Sequence, residues 1–215
     1  MQGNNSTALH VSVLYSADKN NNADQHWAPE SPVLEQWVIA ALSYFPAIAQ
    51  QLMETGSQPT DLEAPAVAVQ PTDALTETVQ TESPSNVNVE VSVSAVSSEH
   101  MRALNQQYRN KDGDTNVLSF PSDMPALFSE HGGDSATVVL GDIVLCPEVL
   151  EKEASAQGKS LHDHWAHMVI HSLLHLNGMD HNSELSADTM ESHEIQILSN
   201  LGISNPYLVA SANQS

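Results

Sequence analysis

The residues from 171 to 181, HSLLHLNGMDH, constrain the fold of this chain more than any other segment. In an α-helix each residue advances by about 100°, so His171 and His175 project from one face, within reach of one metal ion. Gly178 can adopt the left-handed conformation that ends a helix and turns the chain back. We therefore predict that this turn brings His181 to the other two histidines as a third ligand.

The predicted site has three imidazoles and no obvious fourth side chain, an arrangement typical of catalytic rather than structural zinc. We expect one zinc ion held by His171, His175 and His181, with water in the open position. Such a water is acidified towards a pKa of about 7 and can act as a nucleophile. The alternative is a helix that is merely rich in histidine. His167, on the same stripe, lies about 12 Å of helix rise from His175, too far to bind the same ion.

The spacing H-x3-H-x2-G-x2-H is that of zinc proteases in which a glutamate follows the first histidine and serves as the general base. In this chain the corresponding residue is Ser172. A serine hydroxyl cannot take a proton from a metal-bound water at neutral pH, so proteolysis by that mechanism is disfavoured.

The chain is strongly acidic, with 27 acidic and 6 basic residues among 215 and a formal net charge of -21. Because non-specific phosphate binding depends on Lys and Arg, bulk nucleic acid should be repelled. Arg102, Arg109 and Lys111 are nevertheless close together in the sequence. We expect Arg109 and Lys111 to form a local positive spot beside the metal, where the planar guanidinium of Arg109 can bind a phosphate. The alternative for Arg109 is a helix C-terminal charge or an ion pair with Asp112.

An acidic segment at 53–86 differs in character from the rest of the chain: it contains four prolines and six acids but no Lys or Arg. This composition is typical of a solvated, disordered loop. Both flanks have ordered patterns, and neither is large enough to fold alone. We therefore predict a single domain over residues 1–215 with an insertion at 53–86 and a short flexible C-terminal tail at 209–215.

Hydrophobic periodicity along the chain alternates between strand and helix patterns without a strict repeat. The second predicted helix begins after Ser98, which we expect to be its N-cap. We predict an α+β fold with about four strands in a mixed sheet, packed with about five helices, and the metal site at the end of a central helix.

Three features predict a cytoplasmic protein without membrane association. No apolar run approaches the roughly 18 residues that a membrane helix needs. The N-terminus, MQGNNSTALHVSVLY, lacks the basic start and long apolar stretch of a secretory signal. Cys146 is the only cysteine, which fits a reducing compartment.

Three blocks resemble the YbeY family of bacterial metallo-endoribonucleases: LNQQYRNKDGDTNVLSFP (104–121), LGDIVLCPEVLEKEA (140–154) and the histidine segment. The resemblance implies a zincin-like α+β domain that cleaves single-stranded RNA in 16S rRNA 3′-end maturation and ribosome quality control. It also implies rRNA, the 30S subunit, ribosomal protein S11 and the GTPase Era as partners. The residues that match the family's site are the zinc ligands His171, His175 and His181, and Arg109 near the metal cleft.

Two positions depart from the family pattern. Ser172 stands where the family commonly has glycine, and Asp114 stands where it often has proline. Neither change removes a ligand, but both affect how closely a substrate backbone can approach.

Other interpretations stay open on the sequence alone. One is a ribosome-assembly factor with a mainly structural zinc, since a charge of -21 suits docking on a basic ribosomal protein. Another is a metallohydrolase of a different substrate class. Within the nuclease interpretation, the metal can activate water or assist attack by a ribose 2′-hydroxyl. His171, if it is a weak ligand, is also a candidate acid or base.

Overall fold

The computed structural model describes residues 8–17, 28–43, 86–123, 128–129, 135–179, 181 and 184–208. The predicted tail at 209–215 and the insertion at 53–86, apart from Asn86, lie outside these ranges. None of the helices in the described ranges has the length and apolarity needed to cross a membrane. The elements, in chain order, are β1 (Ala8–Ala17), α1 (Ser31–Ser43), β2 (Asn86–Ala95), α2 (Ser98–Arg109), β3 (Val117–Pro121), β4 (Phe128–Ser129), β5 (Ser135–Leu145), α3 (Pro147–Gln157), α4 (Leu161–Leu176) and α5 (Glu184–Asn200).

The strands of the described ranges form one mixed sheet, and the predicted α+β class is confirmed. The main order is β1-β2-β5-β3; β1, β2 and β5 run parallel, and β3 and β4 pair antiparallel with β5. The expected count of about four strands is not confirmed, because the sheet has five. One of them, β4, is two residues long and lies in a segment whose sequence has no strand periodicity.

A β-bulge shapes the middle of β5. The register between β2 and β5 shifts after Glu90, so that β5 contains an extra residue, Leu140. The next residue, Gly141, has φ of 129°, and a Cβ there would lie 2.2 Å from the carbonyl oxygen of Phe120 in β3. Only glycine fits this position. The bulge therefore allows β3, part of the 104–121 block, to pair closely with β5.

Helix α4 is the central helix of the fold, since it contacts α1, α3, α5, β3 and β5. Its large apolar side chains, among them Trp165, Ile170, Leu173 and Leu174, are fully buried. Burying a side chain of this kind stabilises the fold by about 1.5–3 kcal/mol. The packing therefore fixes the rotation of α4, and with it the direction of its histidine stripe.

The N-terminus of α2 differs from the prediction by one residue. The N-cap is Ser97, whose hydroxyl oxygen accepts a hydrogen bond from the backbone N–H of His100 at 3.3 Å. The predicted cap, Ser98, instead donates its hydroxyl hydrogen to the carboxylate of Glu148 in α3. Two adjacent serines are equivalent by capping propensity, and this contact decides between them.

Candidate metal centre

Helix α4 ends in a tight turn that gathers three histidines. The backbone N–H of Gly178 donates to the carbonyl of His175 at 2.9 Å, and that of Met179 donates to the carbonyl of Leu174 at 3.0 Å. These two bonds define a Schellman turn, which requires a left-handed residue after the helix. Gly178 supplies it with φ of 82°, as predicted. The chain then reverses and carries His181 back to the helix end.

The three predicted histidines lie together in the structure. His171, His175 and His181 each offer one ring nitrogen, and these atoms are within 4.8 Å of one another. The Nε2 atoms of His171 and His175 are 3.1 Å apart. Within the described part of the chain, no other group of three or more His, Cys, Asp or Glu side chains is arranged to hold a metal ion.

Hydrogen bonds at the outer ring nitrogens set the direction of two of these imidazoles. Nδ1 of His171 donates to Oε1 of Glu194 at 2.8 Å, and Nδ1 of His175 donates to the carbonyl of Met179 at 2.9 Å. A neutral imidazole that carries its hydrogen on Nδ1 has its lone pair on Nε2. The two lone pairs therefore face the same space, where a cation would relieve their repulsion. The donor set and its orientation fit a metal ion.

The electrostatic environment favours the neutral, ligating form of His175. Burial lowers the pKa of its imidazole, and so do the charges of His171, His181 and Arg109. The hydrogen bond to the carbonyl of Met179 raises this pKa but does not outweigh them. Metal ions bind neutral imidazole, so a lowered pKa assists binding near neutral pH.

Arg109 is the last residue of α2 and is exposed to solvent. Asn110, which follows it, ends the helix in a left-handed conformation with φ of 52°. The guanidinium charge lies close enough to the metal group to influence the pKa of His175. This effect is the weakest of those that act on His175, so the role of Arg109 beside the metal stays a prediction.

Glu194 is a buried residue in contact with the metal group that the sequence interpretation missed. It lies in α5, is 1% exposed, and accepts hydrogen bonds from Nδ1 of His171 and Nε2 of His167, each at 2.8 Å, and from the hydroxyl of Tyr207. Burial opposes ionisation of this carboxyl, but the three hydrogen bonds outweigh it and lower the pKa to about 2. Glu194 is therefore a buried carboxylate that joins α4 to the end of α5.

A sequence signal for Glu194 existed. The residue lies four positions after Met190 and four before Leu198, and both of these side chains are buried. It therefore occupies the apolar stripe of its own helix. An ionised carboxylate on such a stripe needs partners, because an unpaired buried charge is very costly. Tyr207, in the turn after α5, carries no comparable signal.

Two further histidines of α4 lie outside the metal group and contact carboxylates. His167 is bound to Glu194, and Nε2 of His164 lies 2.8 Å from Oε2 of Glu153 in α3. Glu153 also accepts from Nδ2 of Asn116 at 3.1 Å, which ties the 104–121 block to the helices. The hydrogen bond from His164 is the main cause that lowers the pKa of Glu153.

The two positions that depart from the family pattern have different surroundings. Ser172 is completely buried, and its hydroxyl has no hydrogen-bond partner among the described residues. Its side chain therefore cannot act on a substrate at the metal group. Asp114 forms an ion pair with Arg102, with 2.9 Å between Oδ1 and Nη2. Asp180, next to His181, lies outside the described residues.

Comparisons with known proteins identify relatives of this chain. A family model described as Endoribonuclease YbeY matches residues 57–202, which include the three histidines and Arg109. Endoribonuclease YbeY of Francisella philomiragia is 49% identical over 119 residues, which cover 55% of this chain and 73% of that protein. Endoribonuclease YbeY of Colwellia psychrerythraea is 49% identical over 123 residues, covering 57% and 75% of the two chains. The solution structure of TM1509 from Thermotoga maritima covers 96% of this chain and 98% of its own, with 19% identity and a TM-score of 0.42.

Proposed function

Since this chain belongs to the Endoribonuclease YbeY family, we propose that it is an endoribonuclease of rRNA processing that cleaves single-stranded RNA at the histidine group. The substrate would be the 3′ region of 16S rRNA, in maturation and in ribosome quality control. The cluster of three imidazoles, two of which have converging lone pairs, carries this proposal, because it supplies the metal site that such a nuclease needs.

The proposed ligands are His171, His175 and His181, and the proposed ion is zinc. Three nitrogen ligands without a carboxylate suit zinc better than magnesium or calcium, which prefer oxygen. A zinc ion held there would act as a Lewis acid on the scissile phosphodiester. We assign His171 the role of a ligand rather than of an acid or base, because its Nδ1 is engaged by Glu194 and its Nε2 faces that of His175.

Arg109 is the proposed catalytic side chain. Its charge is one of the weaker causes of the lowered pKa of His175, in a chain that as a whole carries a net charge of -21. A planar guanidinium can donate two parallel hydrogen bonds to a phosphate and stabilise the charge that develops on it. Arg109 would therefore bind the scissile phosphate next to the metal ligands.

The acidic surface suggests how the enzyme reaches its substrate. A net charge of -21 disfavours binding to free RNA but suits docking on a basic protein. Docking on the 30S subunit, with ribosomal protein S11 and the GTPase Era as partners, would deliver the active site to rRNA in the cytoplasm. In this proposal residues 1–215 form a single zincin-like domain, with 53–86 as an insertion.

Cleavage of an RNA that spans the 16S 3′ end tests the proposal, with zinc content measured on the same samples. His175→Ala should lose both zinc and cleavage. Arg109→Ala should keep its zinc and lose about 100-fold or more in cleavage rate, the usual effect of removing one group that stabilises a transition-state charge. Arg102→Ala is the matched control: it removes a cation from the same helix, but one paired with Asp114, and cleavage should persist.

A wild-type protein that binds one zinc ion but leaves RNA intact, even with 30S subunits present, would contradict the nuclease function. That result would favour the alternative of a ribosome-assembly factor with a mainly structural zinc. The 3′ ends of the products distinguish the two chemical routes. A 2′,3′-cyclic phosphate indicates attack by the 2′-hydroxyl, and its absence indicates hydrolysis by water.

A further inference from the structure

We propose that Glu194 is a positioning residue of the metal centre, which holds the imidazole of His171 so that its Nε2 atom is directed at the ion. The inference rests on the metal site of the proposed function. It adds a residue from another helix, 23 positions beyond His171 in the sequence.

The carboxylate of Glu194 is fixed on both of its oxygens. Oε1 accepts from His171 at 2.8 Å, while Oε2 accepts from His167 at 2.8 Å and from the hydroxyl of Tyr207. The side chain is 1% exposed, so water does not compete for these bonds. Because its partners come from α4 and from the turn after α5, the carboxylate cannot rotate without losing at least one of them. It is therefore a rigid acceptor for Nδ1 of His171.

A rigid carboxylate behind an imidazole affects the opposite nitrogen in two ways. It holds the hydrogen on Nδ1, so that the lone pair stays on Nε2, and its negative charge makes that nitrogen a stronger ligand. His175 has a different support, the neutral backbone carbonyl of Met179. Loss of the carboxylate should therefore weaken the contribution of His171 and leave His175 correctly oriented.

Zinc affinity, measured by competition with a chromophoric chelator, is the direct test. Glu194→Gln has nearly the same size as the native side chain but no charge. It should bind Zn²⁺ about 10- to 100-fold more weakly than the wild type, the usual effect of losing such an outer hydrogen-bond partner. The visible absorption spectrum of the Co²⁺-loaded protein should change as well, because that spectrum reports the ligand geometry. Glu191→Gln, an exposed position of the same helix, is the matched control and should bind Zn²⁺ like the wild type.

A second variant separates positioning from general damage to the buried network. His167→Gln removes one partner of the carboxylate but leaves its contact with His171, so zinc affinity should fall much less than in Glu194→Gln. Thermal unfolding of the metal-free proteins confirms that each variant folds.

Two results would overturn the inference while leaving the metal site intact. One is a Glu194→Gln protein that binds Zn²⁺ as tightly as the wild type. The other is a His167→Gln protein whose affinity falls as far as that of Glu194→Gln. If the wild type bound no Zn²⁺, or if His175→Ala bound it equally well, the proposed metal site would be refuted, and this inference with it.

Discussion

The backbone carbonyl of Met179 accepts a hydrogen bond from Nδ1 of His175 at 2.9 Å. Met179 lies in the turn that ends the helix carrying His175. The same turn therefore ends α4, orients one imidazole and returns the chain so that His181 can approach. Its conformation depends on Gly178, which has φ of 82°.

Gly178→Ala should lower the free energy of unfolding by about 1–2 kcal/mol, because the left-handed conformation is unfavourable for residues with a Cβ. A Cβ at this position would meet no atom within 4 Å, so the cost comes from the backbone alone. Gly178→Asn should cost less, since asparagine tolerates this conformation. Urea unfolding measures both changes. An alanine variant as stable as the wild type would contradict the left-handed conformation of residue 178 in this turn.

Gly141→Ala should be far more damaging than Gly178→Ala. Here the added Cβ would lie 2.2 Å from the carbonyl oxygen of Phe120 and 2.8 Å from the backbone nitrogen of Ser122. Both are backbone atoms, one in β3 and one just after its end, and they cannot move aside. We expect a loss of more than about 4 kcal/mol, or failure to fold. The same urea experiment compares the two variants. If Gly141→Ala lowered the free energy of unfolding no more than Gly178→Ala does, the close backbone contact at the bulge would be contradicted.

Ser172→Ala should raise the free energy of unfolding by roughly 1–2 kcal/mol. The change removes a buried hydroxyl that has no hydrogen-bond partner among the described residues, and alanine is the better helix former. RNA cleavage should be unchanged, because the side chain is completely buried. Ser199→Ala, at an exposed position of α5, is the control and should change stability by less than about 0.5 kcal/mol. A destabilised Ser172→Ala protein would indicate that the hydroxyl has a partner.

Glu153→Gln should alter how stability depends on pH. The pKa of Glu153 lies below its ordinary value of 4.5, chiefly because of the hydrogen bond from His164. The folded state therefore favours the ionised carboxylate, and this stabilisation is present above about pH 4.5 and disappears as the pH falls through the folded-state pKa. The wild type should lose its advantage over Glu153→Gln in that acidic range.

Urea unfolding from pH 7 to pH 3 measures this difference. A His164→Asn background provides the control, because it removes the largest cause of the shift. In that background Glu153→Gln should change stability much less with pH. An equally large pH-dependent difference in both backgrounds would assign the effect to another contact.

The part of the metal site that sequence alone predicted is the part that is local in the chain. His171, His175 and Gly178 belong to one helix and its turn, so helical geometry relates them directly. Glu194 reaches His171 only because α5 packs against α4, and Tyr207 reaches Glu194 from the segment that follows α5. Periodicity identifies the buried stripe of a helix but does not determine which residue of another helix it meets.

The errors in the fold prediction have a similar origin. The cap of α2 shifts from Ser98 to Ser97 because a glutamate from a distant helix, Glu148, binds Ser98. Strand β4 exists through its pairing with β5, since two residues carry no periodicity of their own. Local patterns therefore predicted the fold class and the start of α2 to within one residue, whereas contacts between elements decided the details.

The order in which the chain is synthesised separates the metal ligands from the carboxylate that supports one of them. All three histidines are translated before Glu194, and Tyr207 follows later still. A nascent chain that has just exposed His181 would present three imidazoles before the buried acceptor of His171 has been synthesised. On the proposed role of Glu194, the ion would be held more weakly until α5 and its turn had docked, so that the affinity for the metal would rise as folding is completed.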